Sequence, residues 1–291
     1  MSARVIDGKA LAVEARAGIS QRVARVREAG GVVQLDALLS CSGDSPARVY
    51  AQNQARTCAD LGIDYVLHET GADCSIDAVC DRVRSLNEDD GVIGIMVHMP
   101  LPDGLDAYEV QRLIDPAKDV EGVNPANIGN IVYGRSSLAP CTGLAAVRMI
   151  QSTGVDLKGA RCVVVGASDV VGKPIAVLLM RLEATVVSAN LWTWGIDELC
   201  ASADVLVSAV GKPGLIRPEM VKPGAVVVDV GTSRVTDETG KTRTVGDVDF
   251  EGVREVANWV SPVPGGVGPM TVAMLLSNVV EAAERRAGIT G

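Results

Sequence analysis

Aromatic side chains are scarce in this 291-residue chain: 3% of residues are Phe, Tyr or Trp, and there is a single Phe. The core must then be built from Ala, Val, Leu and Ile, which is typical of helices packed on parallel strands. The chain has only two His, and its seven Cys are odd in number and form no CxxC pair. Neither a metal site nor a disulfide framework is indicated, so we expect reduced cysteines and a cytoplasmic protein.

Positive charge is also in short supply, with 27 Lys and Arg against 36 Asp and Glu, for a net charge of -9. This balance argues against nucleic-acid binding, which depends on clustered Lys and Arg. No run approaches the roughly 18 apolar residues of a membrane span, and the N-terminal segment MSARVIDGKALAVEARAG has no apolar stretch like that of a signal peptide. We therefore expect neither a nucleic-acid nor a membrane partner.

Apolar and polar segments alternate in the strand-then-helix rhythm of βαβ units, which predicts an α/β protein, and the length suffices for two domains. In the first half we predict helices at 6–30, 45–61 and 75–86, with Ser45 and Pro46 opening the second, and strands at 32–40, 63–69 and 91–100. Residues 115–142 are rich in Gly, Pro and Asn, which indicates a loop-rich crossing between domains.

A second series begins near residue 160, with strands predicted at 161–167, 184–190, 205–210 and 225–231 and helices at 171–181 and 196–202. No strand follows the last helix, 267–288, so we expect it to return and pack on the first domain. The predicted organisation is a first domain of residues 1–139 plus 268–291 and a Rossmann-like domain of residues 140–267.

Two segments carry specific chemistry. VVVGASDVVGKP (163–174) runs from an apolar strand through a Gly-rich turn into a helix, an order that aims backbone N–H groups at a phosphate. Its spacing departs from G-x-G-x-x-G, so a tight turn that merely needs glycine is the alternative. SPVPGGVGPMT (261–271) has three prolines and three glycines between a strand and a long helix, which fixes an unusual backbone path. The alternative interpretation of this segment is a plain rigid linker.

With VHMPLP (97–102), KDVEGVNPANIG (118–129), PCT (140–142), VGKPG (210–214), VVDVG (227–231) and GDVDF (246–250), these segments resemble the bifunctional methylenetetrahydrofolate dehydrogenase/cyclohydrolase (FolD) family over nearly the whole chain. The resemblance implies a two-domain α/β subunit that forms a homodimer. It also implies NADP or NAD on the second domain and tetrahydrofolate as one-carbon carrier. Members oxidise 5,10-methylenetetrahydrofolate to the methenyl form and then hydrolyse that to 10-formyltetrahydrofolate.

The resemblance also implies the site residues. The catalytic positions are Tyr50, Gln54, His98 and Glu121. The substrate-binding positions are Tyr50, Val97, His98, Pro100, Leu101, Glu121, Pro262, Gly265, Gly266 and Pro269. The cofactor-binding positions are Thr142, Gly166, Ser168, Asp169, Val170, Gly172, Lys173, Ala209, Gly211, Gly231 and Thr271.

Several of these positions depart from the family pattern. Family members carry a lysine four residues after the tyrosine that stacks on folate, and this chain has Gln54 there, which cannot carry a proton through a reaction. The resemblance also implies a glutamine that contacts this lysine, and this chain has His98 at that position. His98 either acts as a substitute acid or base, or only hydrogen-bonds folate. At the position of the aspartate that binds the pterin ring in the family, this chain has Glu121. His68 is interpreted as a surface histidine.

Dinucleotide specificity is open, because the segment after the second strand of the nucleotide domain, SANLWTWG (188–195), has neither a cation for a 2′-phosphate nor a ribose-binding Asp or Glu. Trp192 and Trp194 either lie over an adenine or fill the surface. Three functions are compatible with these departures. The first is a dehydrogenase whose cyclohydrolase activity is weak, lost or rerouted through His98. The second is a paralogue that transfers the methylene carbon to another nucleophile without redox chemistry. The third is a non-catalytic folate-binding protein.

Overall fold

A computed structural model describes residues 2–40, 46–71, 73–135, 138–236 and 240–289. They form two compact units. Unit I comprises Glu14–Ala139 and Leu275–Gly291, and unit II comprises Met1–Val13 and Pro140–Met274. The expected α/β class is confirmed, whereas the expected helix cap Ser45 lies outside the described residues.

The elements in chain order are β1 (Arg4–Val5), α1 (Gly8–Glu28), β2 (Gln34–Leu39), α2 (Pro46–Leu61), β3 (Asp64–Glu69), α3 (Ile76–Glu88), β4 (Gly94–Val97), α4 (Ala107–Gln111), α5 (Pro125–Val132), α6 (Cys141–Ser152), β5 (Arg161–Val165), α7 (Gly172–Met180), β6 (Thr185–Ala189), α8 (Ile196–Ala201), β7 (Val205–Ser208), a 3₁₀ turn (Pro218–Met220), β8 (Val226–Asp229), β9 (Ser233–Thr236), β10 (Thr242–Val245), α9 (Phe250–Arg254), β11 (Trp259–Val260) and α10 (Val267–Arg286).

Unit I contains a parallel three-stranded sheet in the order β3-β2-β4. The central strand β2 is buried along almost its whole length, as expected for a parallel strand covered on both faces. Helix α3 begins at the N-cap Ser75, whose Oγ accepts a hydrogen bond from the Ala78 N–H at 3.2 Å. It buries Val79, Val83 and Leu86 in the core, at the spacing that places side chains on one helix face.

The segment 115–142, which we expected to be loop-rich, contains a helix and is organised by one carboxylate. Fully buried Asp119 accepts backbone hydrogen bonds from Gly122, Val123 and Asn124 at 2.7–3.2 Å. Asn124 then caps α5, and Pro125 occupies its first turn. This Asn-Pro start is a helix signal, so the expectation of a loop here was wrong for residues 125–132.

The second half of α10 packs within unit I. Buried Asn278 donates to the carbonyls of Val120 and Ala139 at 2.8 and 3.0 Å. Glu284 forms a bidentate ion pair with Arg22 of α1, with N–O distances of 2.6 and 3.0 Å.

Unit II contains a parallel six-stranded sheet in the order β1-β11-β8-β7-β5-β6. Strand β5 continues to β6 on one side, and the chain then returns to place β7 on the other side of β5. Such a reversal of strand order opens a crevice at the carboxyl ends of the strands, where α/β proteins bind ligands. The antiparallel pair β9–β10 lies outside this sheet.

The two units differ from the expected domains at two places. Residues up to Val13 belong to unit II, because β1 pairs with β11 in the parallel register Arg4–Trp259. Helix α10 passes from unit II to unit I after Met274 rather than at residue 268. A two-residue strand such as β1 is too short for apolar alternation to reveal it.

Candidate functional site

The four residues predicted to be catalytic lie together at the carboxyl end of β4. Tyr50 and Gln54 are four residues apart on α2 and therefore share one helix face. The rings of Tyr50 and His98 meet edge to face, with centroids 5.8 Å apart. Gln54 Nε2 lies 3.3 Å from the Met96 sulfur. Tyr50 is 43% exposed, so its ring is available to a ligand, whereas Gln54 and His98 are buried.

His98 is held as a neutral hydrogen-bonding group. Its backbone N–H donates to the Leu38 carbonyl at 2.8 Å, and its Nε2 lies 3.1 Å from the Tyr65 hydroxyl. Burial lowers the pKa of the imidazole to about 4. The ring is therefore uncharged near neutral pH, which favours the hydrogen-bonding role over that of a substitute acid.

Gln54 lies at the position for which the resemblance implies a lysine, and its environment is poor in polar partners. The side chain is 3% exposed, and the Oε1 atom is buried with no hydrogen-bond partner among the described residues. An unpaired buried carbonyl costs about 1–3 kcal/mol, so this oxygen is available for a bound molecule to satisfy.

Glu121 is the group at this site whose charge changes near neutrality. Its Oε2 accepts a hydrogen bond from the Val97 N–H at 3.1 Å, which ties the carboxyl to the end of β4. Burial, with a smaller contribution from Asp119, raises the pKa of Glu121 to about 7, and the Val97 hydrogen bond opposes the rise. A half-protonated carboxyl can both donate to and accept from a polar ring.

The remaining substrate-binding predictions divide between the units. Val97, cis Pro100 and Leu101 continue the β4 end in unit I. Pro262, Gly265, Gly266 and Pro269 all belong to unit II. Gly265 has φ +106°, and a Cβ on Gly266 would lie 2.5 Å from the Pro262 carbonyl oxygen, so this turn requires both glycines. The assignment of all these residues to folate stays a prediction.

The cofactor-binding predictions centre on the turn between β5 and α7. Gly166 has φ +105°, and a Cβ there would lie 2.3 Å from the Ala209 carbonyl oxygen. A Cβ on Gly172 would lie 1.8 Å from the Gly166 oxygen, and Ser168 Oγ accepts from the Gly172 N–H at 3.3 Å. The turn thus brings backbone to backbone without side chains and leads into the α7 N-terminus, which fits a dinucleotide phosphate.

The other cofactor-binding residues surround this turn or lie elsewhere in unit II. Asp169, in the turn before α7, and Lys173, in its first turn, form an ion pair, and Val170 is 38% exposed. Ala209, Gly211 and Gly231 follow the ends of β7 and β8. Thr142 lies in the first turn of α6, and Thr271 Oγ1 donates to the Val267 carbonyl within α10 at 3.1 Å.

The loop after β6 presents aromatic surface. Trp192 and Trp194 are 82% and 96% exposed. Asn190 Oδ1 accepts from the Trp192 N–H at 2.9 Å, and the Asn190 N–H donates to Thr193 Oγ1 at 2.8 Å, so the loop is braced by its own side chains. These rings do not fill a core, and a stacking role with adenine stays a prediction.

Three features of these sites escaped sequence reasoning. Tyr65 reaches His98 from β3, and alternation predicted that strand but not the direction of this side chain. Asp229, the last residue of β8, and Asp247, which follows β10, are both buried. His68 is wrongly interpreted as a surface histidine, since its Nε2 lies 2.8 Å from the Oδ1 of buried Asp36.

Across the described ranges, no group of His, Cys, Asp or Glu is arranged to hold a metal ion, and no helix is long and apolar enough to cross a membrane. Six of the cysteines are in no disulfide within the described ranges, and Cys41 lies outside the part of the chain that the structure describes.

Comparison with known proteins places these sites in a family. The model of the tetrahydrofolate dehydrogenase/cyclohydrolase catalytic domain matches residues 6–121, and that of the NAD(P)-binding domain matches residues 140–287. The bifunctional protein FolD of Rhodobacter capsulatus is 46% identical over 97% of this chain and 94% of its own length.

Solved structures agree. The bifunctional FolD enzyme of Campylobacter jejuni superposes with a TM-score of 0.92 at 35% identity, over 98% of this chain and 100% of that one. The FolD of Trypanosoma brucei, solved with NADP and an inhibitor, gives 0.91 at 35% identity over 98% and 99%. A chain that both domain models match in succession, and that such relatives match along its whole length, belongs to the tetrahydrofolate dehydrogenase/cyclohydrolase family.

Proposed function

We propose that this chain oxidises 5,10-methylenetetrahydrofolate to 5,10-methenyltetrahydrofolate with NAD or NADP, and that hydrolysis of the methenyl product is slow or lost. The family relationship and the glycine-lined turn after β5 support the oxidation. The observation that carries the second half is Gln54, which is buried at the position of the family's lysine with its Oε1 unpaired.

Oxidation depends mainly on positioning. The dinucleotide supplies the hydride acceptor when it is bound. Tyr50 offers an exposed ring for stacking beside His98, and Glu121 offers a carboxyl at the end of β4 for the polar edge of the pterin. Neither contact requires a proton to move during hydride transfer, so replacing lysine by glutamine leaves this step largely intact.

Hydrolysis demands more of the side chains. Water attack on the methenyl carbon and opening of the ring require protons to be taken and given. Gln54 has no titratable proton, and His98 is neutral with a pKa of about 4 and its Nε2 directed to Tyr65. Glu121, with a pKa raised to about 7, is the remaining candidate, and alone it supports only slow hydrolysis.

A direct assay tests the proposal. Purified protein is mixed with 5,10-methylenetetrahydrofolate and NAD or NADP, and reduced dinucleotide and methenyl product are followed together. We expect equal growth of both, with methenyl product persisting. Tyr50→Ala should weaken folate binding, whereas the control Tyr133→Ala, at a side chain that is 83% exposed, should not. Folate binding without reduction of either dinucleotide would refute the oxidation and favour one-carbon transfer or a binding protein.

We infer that the enzyme acts as a homodimer in the cytoplasm. The six described cysteines, none of which is in a disulfide, support the compartment. Strand β3 supports the assembly, since it forms an edge of the unit I sheet and carries half-exposed Val66, and edge strands readily pair with a second chain. Val66→Lys should then shift the mass measured by light scattering towards the monomer, while Val13→Lys should not. A monomeric parent protein would overturn the inference.

A further inference from the structure

Two carboxyl groups are buried together at one end of the unit II sheet. Asp229 ends β8 and is 3% exposed, while Asp247 follows β10 and is fully buried. The Asp247 N–H donates to Asp229 Oδ1 at 3.1 Å, so the two residues are directly joined. Burying a carboxyl group costs free energy unless the group is hydrogen-bonded. Both carboxyl groups accept several hydrogen bonds from neighbouring loops.

Asp247 holds the loop after β7. Its Oδ2 accepts from Ser208 Oγ at 2.8 Å and from the N–H groups of Val210 and Gly211 at 2.8 and 3.2 Å. Its Oδ1 accepts from the Lys212 N–H at 2.7 Å. One carboxyl therefore holds the N–H groups of three successive residues, 210–212, in a loop whose Gly211 has φ +78°.

Asp229 holds the loops that bring Asp247 into place. It accepts from the N–H groups of Gly231 at 3.0 Å and Val248 at 2.9 Å. Burial raises its pKa to about 6, against the effect of these backbone hydrogen bonds. A Cβ on Gly231 would lie 2.1 Å from the Asp247 carboxyl carbon, and one on Gly246 would lie 1.9 Å from Asp229 Oδ2. Both glycines are required because the carboxyl groups occupy that space.

The loop that Asp247 holds forms one side of the crevice between β5 and β7. Ala209, which precedes Val210, approaches Gly166 so closely that a Cβ on Gly166 would lie 2.3 Å from the Ala209 carbonyl oxygen. The glycine-lined turn after β5 and the 209–212 loop therefore lie against each other at the carboxyl ends of the neighbouring strands β5 and β7. A ligand in this crevice meets both.

We propose that Asp247, supported by Asp229, is a positioning residue that shapes the dinucleotide-binding crevice of unit II by fixing the 209–212 loop. The proposal rests on the proposed function, since it assumes that a dinucleotide binds in this crevice. Asp247 has no exposed surface and acts through the backbone of the loop rather than by touching the ligand. Its loss should therefore weaken dinucleotide binding selectively.

The test is Asp247→Asn, which keeps the shape but replaces one acceptor oxygen by a donor. Dissociation constants for NAD and NADP are measured by tryptophan quenching, and KM is measured for the dinucleotide and for folate separately. We expect about tenfold weaker dinucleotide binding and a similar rise in its KM, with the folate KM unchanged. The matched control is Asp249→Asn, two residues on, where the exposed side chain only caps α9.

The outcomes separate the two proposals. If the parent protein binds neither dinucleotide, the proposed function fails; if it binds and Asp247→Asn binds equally well, the positioning role fails. Equal increases in both KM values would indicate general damage and also overturn it. Should Asp247→Asn not fold, Ser208→Ala removes one hydrogen bond to Asp247, and its dinucleotide dissociation constant should rise about threefold. An unchanged value would overturn the proposal.

Discussion

Replacing Gln54 by lysine tests the proposed division between oxidation and hydrolysis most directly. Gln54→Lys introduces the amine that the resemblance implies for this position, on the same helix face as Tyr50. If the missing amine is what makes hydrolysis slow, the variant should convert the methenyl product to 10-formyltetrahydrofolate faster than the parent protein. The oxidation rate should change little, because hydride transfer depends on positioning.

The structure sets the stability cost of this substitution. Gln54 is 3% exposed, and its nearest polar contact is the weakly accepting Met96 sulfur at 3.3 Å. Burial in such surroundings lowers a lysine pKa by about 3 units, which corresponds to about 4 kcal/mol at neutral pH. Because the folded-state pKa is lowered, the unfolded chain binds more protons, so the lost stability should return as pH rises towards about 10.4.

The assay follows the disappearance of added methenyltetrahydrofolate together with thermal unfolding at several pH values. The matched control is Gln54→Met, which fills a similar volume and removes the unpaired Oε1 without adding an amine. It should gain about 1 kcal/mol of stability and no hydrolysis. A folded Gln54→Lys protein that hydrolyses no faster than Gln54→Met would refute the reasoning and show that the surrounding site has also diverged.

Three further predictions concern unit I. His98→Gln should leave residual hydrolysis within a few-fold of the parent rate, since the neutral ring only hydrogen-bonds; a loss of all hydrolysis would contradict this. Glu121→Gln should flatten the pH dependence of the free energy of unfolding. The pKa of Glu121 is about 7 in the folded protein and 4.5 ordinarily. The parent protein therefore loses at most about 3 kcal/mol of stability as pH rises from about 4.5 to about 7. An unchanged urea midpoint profile would exclude the raised pKa. Asn278→Leu leaves the carbonyls of Val120 and Ala139 without their amide donor, so denaturant unfolding should show a loss of about 2–4 kcal/mol, and a loss below about 0.5 kcal/mol would count against this account.

Local patterns predicted most of the fold. The parallel strands β5 to β8 are predicted because short runs rich in Val are typical of buried strands. Strand β1 is not, because its two residues acquire strand geometry only by pairing with β11. Helix α5 begins with Asn124 as N-cap and Pro125 in its first turn, a local helix signal within a segment otherwise rich in loop residues.

The candidate site was less accessible to sequence reasoning, for a physical reason. Motifs pointed to Tyr50, Gln54, His98 and Glu121, and the structure brings them to the end of β4. The state of His98, however, depends on burial and on the Tyr65 hydroxyl, which comes from another strand. Contacts between side chains that are distant in the chain leave no periodic pattern in the sequence.

The distribution of tryptophan gives the protein a built-in reporter. Its three tryptophans are Trp192, Trp194 and Trp259, and all of them belong to unit II. Trp192 and Trp194 are exposed to water in the folded protein, so their fluorescence should change little on unfolding. Trp259 is half-buried, with the Arg4 guanidinium 5.3 Å from its ring centre. Changes in emission during unfolding should therefore follow the separation of β1 from β11, while circular dichroism follows the helices of both units. A difference between the two midpoints would measure directly how independently the units unfold.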